Sequence, residues 1–155
     1  MKGKTLSVSA IKDGTVIDHI APGQALKIIR LLKLEQQRHQ ITIGLNLKSG
    51  SSGLKDIIKI EQVFLTEEHS ACIAIFSPNA TVNVIQNYQV AKKFPVSLPP
   101  AIDGLLLCPN TSCITRFEKT TPTRFLIEET SHLIQLHCRH CEKLFSAEEM
   151  YGRSS

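Results

Sequence analysis

Apolar residues recur along the first hundred positions with two periods, two and about 3.6, and the switches between them mark out the elements. Leu6, Val8 and Ala10 alternate with polar residues, which predicts a half-buried strand from Thr5 to Ala10. Gly14 permits a turn, and the β-branched run from Thr15 to Ile20 predicts a second strand. From Ala25 to Leu34 the apolar residues take helical spacing, with Lys27, Arg30 and Lys33 on the other face; Pro22 suits the first turn of that helix. Ile41 to Leu47 alternates as a strand, residues 49–53 form a glycine–serine loop, and Asp56 to Glu61 alternates again after Ile57. Thr66 followed by Glu67 and Glu68 is an N-cap with acids in the first turn, opening a short helix that ends by Pro78. Ala80 to Ile85 and Asn87 to Val90 predict two strands around a tight turn. The order β-β-α-β-β-α-β-β has too few long helices for a wound parallel sheet. It predicts an α+β fold, a mixed or antiparallel sheet with two helices on one face.

The pattern changes at Phe94 to Pro100, an uncharged, proline-rich stretch that reads as a short linker. Beyond it only short strands are predicted, at Leu105 to Leu107, Arg124 to Glu128 and Leu133 to His137. The chain therefore divides into a domain over residues 1–97 and a small all-β domain over residues 98–155. A segment so short has a meagre core and needs a further source of folding free energy.

Four cysteines supply a candidate. Cys108-Pro-Asn-Thr-Ser-Cys113 and Cys138-Arg-His-Cys141 are two close pairs, the spacing of a tetrahedral thiolate site for one zinc ion. Four protein ligands leave no open position, so the metal is structural rather than catalytic, and its binding supplies folding free energy. Two disulfides are the competing reading. Nothing at the N-terminus resembles a signal peptide, so a reducing, cytoplasmic compartment is expected and zinc is favoured. His137 and His140 would spoil the Cys-x-x-Cys spacing as ligands. Cys72 reads as a small buried apolar residue.

Charge narrows the function. Residues 1–100 hold 12 Lys+Arg against 7 Asp+Glu, whereas residues 101–155 hold 6 against 7. The zinc half is thus no basic nucleic-acid reader, which counts against the alternative of a zinc-ribbon nucleic-acid-binding protein. The scarcity of aromatics counts against base stacking, and no apolar run is long enough to span a membrane. No P-loop, Gly-x-Gly-x-x-Gly, nucleophile elbow or His-Glu-x-x-His occurs, so no catalytic residues are expected. Asp18 and His19 are adjacent on a strand and should point to opposite faces, so they form no dyad. Lys59 lies between Ile58 and Ile60 and faces away from them, where a ligand can meet it; Lys92 and Lys93 follow the last strand.

From about Leu6 to Phe145 the chain resembles the regulatory chain of aspartate carbamoyltransferase. The segments that carry the resemblance are Ala10 to Ile20, Ile41 to Leu47, Lys55 to Glu61, Pro78 to Asn83, Asn87 to Val90 and the two cysteine motifs. The resemblance implies a non-catalytic subunit with an allosteric domain that binds CTP, ATP and UTP. It also implies a zinc domain that contacts the catalytic chain, and homodimers of regulatory chains within a dodecamer of the pyrimidine pathway. Backbone groups at Ile11 and Tyr88 would read the base, Asp18 and Lys59 the ribose and base, and His19 and Lys93 the triphosphate. Asn83 and Val90 would line the pocket. Asn110 and Glu142 match positions that touch the catalytic chain, whereas Ser112 departs from the polar amide expected beside them.

Overall fold

The computed structural model describes residues 10–50, 53–131 and 133–152. The strand expected from Thr5 lies, up to residue 9, outside them. Among the described residues five strands form an antiparallel sheet: β1 (Gly14–Ile20), β2 (Ile41–Ser49), β3 (Gly53–Glu61), β4 (Thr81–Gln86) and β5 (Gln89–Pro95), in the spatial order β2-β3-β1-β4-β5. Helices α1 (Ala25–Leu32) and α2 (Glu67–Phe76) cover one face. Ile17, Ile58, Ile60 and Val82 of the sheet pack there against Ile28, Ile29 and Ile73 of the helices.

Helix α1 begins three residues after Pro22, which instead turns the chain with Gly23. A carboxylate from another strand holds its start. Asp56 of β3, fully buried, accepts from the N–H groups of Gly23 (2.9 Å) and Ala25 (3.3 Å) through Oδ2, and from that of Asn46 (3.0 Å) through Oδ1. An anion suits a helix N-terminus, where the amides lack intrahelical partners. The helix stops at Leu32, short of the expected Leu34, because Lys33 adopts the left-handed conformation (φ 54°) and a 3-10 turn follows over Leu34–Gln37. Asn87 and Tyr88 are the two turn residues of a hairpin, with φ of 53° and 66°, rather than the start of a strand. This doubly left-handed turn matches the twist of its flanking strands.

The expected linker is ordered at its start. Phe94 pairs with Val82 and Pro95 with Thr81 on the edge strand, where proline's missing N–H costs no ladder bond. The Val96 N–H then donates to Ala80 O at 3.1 Å. Beyond this, β6 (Ala101–Asp103), β8 (Arg124–Glu129), β9 (Ile134–Cys138) and β10 (Leu144–Ser146) form an antiparallel sheet in the order β10-β9-β8-β6. The short strands β7 (Leu106–Leu107) and β11 (Tyr151–Gly152) pair beside it.

This C-terminal unit does not rely on its own side chains alone. Leu31 of α1 and Ala71, Cys72 and Ile75 of α2 share one core with Ile102, Leu106, Phe125, Leu136 and Met150. Helix α2 is therefore apolar all round: Ile73 and Ala74 face the larger sheet, while Ala71, Cys72 and Ile75 face the smaller one. Lys27 and Glu148 form an ion pair across the same boundary (2.9 Å). The backbone of Gly152 lies so close to α1 that a Cβ there would stand 2.0 Å from the Leu31 carbonyl oxygen.

Candidate functional site

The four predicted cysteines converge. Cys108 follows β7 and Cys138 ends β9, and each pair closes a tight turn. The Cys113 N–H donates to Asn110 O (3.0 Å) and the Glu142 N–H to Cys138 O (2.9 Å). The Sγ atoms of Cys108 and Cys141 are 3.8 Å apart, as are those of Cys113 and Cys138, and all four lie within 4.8 Å of one another. A zinc–sulfur bond of about 2.3 Å gives a tetrahedral edge of about 3.8 Å. Disulfide sulfurs would lie about 2.0 Å apart. The spacing fits one tetrahedral ion and excludes the disulfide reading.

The surroundings of the thiolates fit as well. Burial pushes the Cys108 and Cys138 thiols up from their ordinary value, a cost that a divalent cation offsets by deprotonating them. Burial also raises the Cys141 thiol, but the Asn110 side chain and the Lys143 N–H outweigh it and hold that group at about 7. Thr115 Oγ1 stands 3.2 Å from Cys113 Sγ, and Arg116 donates to Cys108 O at 2.7 Å. His137 meets Glu142 (3.1 Å) and His140 meets Pro122 O (3.0 Å), so both rings are engaged away from the metal position. Cys72 is a buried core thiol, pushed up to about 12 by burial.

A second cluster lies on the sheet face away from the helices. Cross-strand register places Thr42, Lys59, Val16, Asn83 and Lys93 in one row. Side chains in such a row share a face, so Lys59, Asn83 and Lys93 line one face across four strands, with Val16 between Lys59 and Asn83. Asp18, opposite Thr81, lies one row further along the same face. Lys55, which sequence reasoning did not select, meets Asp18 at 3.0 Å. Burial raises the Asp18 carboxyl, but Lys55 and the His19 N–H more than offset this and leave it below its ordinary value. Burial lowers the Lys59 ammonium, with Asp18 opposing in part.

Asp18 and His19 are not separated as alternation predicts. An extra residue bulges β1 between Ile17 and Ile20, and His19 takes a φ of 57°. His19 Nδ1 thereby comes to 3.9 Å from Asp18 Oδ2. At the other end of the face, the Tyr88 N–H donates to Lys12 O (2.9 Å) and the Asn87 N–H to Asp13 Oδ1 (3.0 Å), which ties the hairpin turn to the segment after Ile11. Tyr88 and Val90 are exposed and Ile11 is buried. The face is open rather than cleft. A cavity of about 140 Å³ adjoins it at His19, Lys55, Ser77 and Asn79, whereas the larger ones, about 400 and 410 Å³, lie where the smaller sheet meets α2. Asn110 and Glu142 both sit on the cysteine turns; Glu142 is exposed and has a φ of 67°.

Two family models match successive parts of this chain. Residues 6–97 match the allosteric domain of the aspartate carbamoyltransferase regulatory chain, and residues 100–151 match its metal binding domain. The chain belongs to the aspartate carbamoyltransferase regulatory chain family. Curated relatives of the same name agree over nearly their whole length. One from Photobacterium profundum is 46% identical over 153 residues, covering 99% of each chain. One from Chromobacterium violaceum is 46% identical over 142 residues, 92% of this chain and 93% of the relative. One from Serratia proteamaculans is 49% identical over 140 residues, 90% of each. As a regulatory chain it is a non-catalytic subunit, and its four cysteines hold one structural zinc ion. Among the described residues no helix of this regulatory chain is long and apolar enough to cross a membrane.

Proposed function

We propose that this regulatory chain binds CTP, ATP and UTP competitively on the open sheet face and transmits their presence to aspartate carbamoyltransferase catalytic chains held by its zinc domain. The observation that carries the reading is the cross-strand row of Lys59, Asn83 and Lys93. Two ammonium groups flanking an amide on one face suit an elongated, phosphate-bearing ligand. From Ile85, beside the hairpin turn, to Thr81, opposite Asp18, the face runs four residues, or about 13 Å. The backbone of Ile11 and Tyr88 serves the base end, with Val90 beside it. Lys59 and Asp18 serve the ribose and base, and Lys93 and His19 receive the phosphates.

Asn110 and Glu142 offer polar contacts to the catalytic chain from turns that the metal makes rigid. Among the described residues one edge of the larger sheet is β2, nine residues long, with Ile43 and Leu45 exposed. Long apolar edges are normally covered, and a second copy of this chain covers it in the homodimer that builds the dodecamer. The assembly works in the cytoplasm.

Calorimetric titration tests the site. Lys93→Ala removes an exposed charge from an edge strand, so the fold should survive. Losing a charge-assisted contact costs about 1.5–3 kcal/mol, roughly a ten- to hundredfold weaker affinity for CTP and ATP alike. Unchanged affinity for both would remove Lys93 from the site.

A further inference from the structure

Helix α2 carries an unusual residue in its N-terminal capping box. Thr66 is the N-cap, and the third helical residue, whose side chain must accept from the N-cap amide, is His69 rather than glutamate or glutamine. The Thr66 N–H points to His69 Nδ1 at 3.2 Å, with Thr66 Oγ1 3.0 Å from the same nitrogen. A backbone N–H can only donate. Nδ1 must therefore present its lone pair, which puts the ring proton on Nε2. An imidazolium has no lone pair: its Nδ1–H would meet the Thr66 N–H and could donate only to Thr66 Oγ1, so the bond to the N-cap amide is lost. Imidazoles change charge between about pH 5 and 8, a range in which glutamine would stay constant.

We propose that His69 makes the start of α2 a pH-operated clasp, closed when the ring is neutral and open when it is protonated. Its location gives the clasp leverage, because α2 contributes side chains to the cores of both sheets. The charged groups around this end are of both signs. Glu67 and Glu68 adjoin His69 on α2, and Asp103 of β6, paired with Arg124 of β8, lines the same groove as both glutamates. Lys92 of β5 is engaged by Glu67 at 3.1 Å. Lys27 and Arg30 of α1 gather with Glu148 near Phe76, at the opposite end of the helix. A dependence of nucleotide control on pH follows only where the allosteric reading above holds; the clasp itself needs neither nucleotide nor partner.

Amide hydrogen exchange on the full chain, read by mass spectrometry and corrected for intrinsic rates, tests it. Protection of the segment from residue 66 to 70 should fall roughly fivefold between pH 7.5 and 5.5, the worth of one helix cap. His69→Gln restores an acceptor that does not titrate and should hold protection high at both pH values. His69→Ala should leave it low at both, with circular dichroism confirming the fold. A fall in His69→Gln equal to the wild-type fall, or a wild-type chain with no fall, would overturn the proposal. Loss of CTP binding with the exchange pattern intact would instead overturn only the nucleotide reading.

Discussion

Replacing Gly152 by alanine tests how tightly the two sheets are joined. The backbone at Gly152 is outside the left-handed region, so the residue is not needed for its conformation. It is needed for space. An alanine Cβ would stand 2.0 Å from Leu31 O, on α1, and the gap must open by about 1 Å to reach the 3.0 Å below which such contacts essentially never occur. Both sides are backbone, so no flexible side chain can yield. Either β11 separates from β7 or the end of α1 moves, and Leu31 and Met150 of the shared core lie beside the clash. Overpacking of this kind costs about 1–3 kcal/mol. In a chain of this size each kcal/mol shifts Tm by about 2–4 °C. Differential scanning calorimetry of the zinc-loaded variant should therefore show a Tm about 2–12 °C lower, with metal content unchanged. A Tm within about 1 °C of the parent would refute the reasoning, because β11 would then be free to move and would not join the halves.

Other outcomes follow from other residues. Cys138→Ala should lose zinc by metal analysis, and stripping the ion with a thiol reagent should release active catalytic chains that no longer answer to nucleotides, as sizing chromatography with an activity assay would show; an assembly that survives complete zinc loss would contradict this. Asp56→Asn turns one of two acceptor oxygens against amide donors, so urea unfolding should show a loss of about 3 kcal/mol. The Asp18 carboxyl is held below its ordinary value in the fold, so its pairing with Lys55 stabilises above the usual carboxylate range and fades as pH falls through the lowered value. The stability gap between wild type and Lys55→Met should accordingly be full at pH 7 and close in acid, by chemical denaturation across pH.

The elements with strong periodicity were legible in the chain. The strand over Ile41 to Leu47 and the helix from Ala25 lie where expected, although Ile43 and Leu45 of that strand are exposed rather than covered by the core. Cysteine spacing was legible because a tetrahedral ion fixes the geometry of its ligands whatever surrounds them. Alternation failed at His19, because a bulge breaks the rule that neighbours on a strand oppose each other, and no residue type announces it. Asp56 and Lys55 escaped because all of their partners but Asn46 are 31 to 37 positions away. The proline-rich stretch was legible as a boundary, but the core shared across it was not, because an apolar run such as Ala71 to Ile75 does not say how many surfaces it must cover.

That last feature has consequences for how this chain can vary. Residues 70–75 are six buried positions in succession, so α2 has no free side on which substitutions can accumulate harmlessly. Most helices tolerate change with a 3.6-residue rhythm. A saturation library selected for folding should instead show an unbroken block of intolerance at 70–75, beside ordinary rhythmic tolerance in α1. Variants that keep both binding activities yet lose the connection between them should be concentrated in that block, because there neighbouring side chains of one helix answer in turn to the two halves of the molecule.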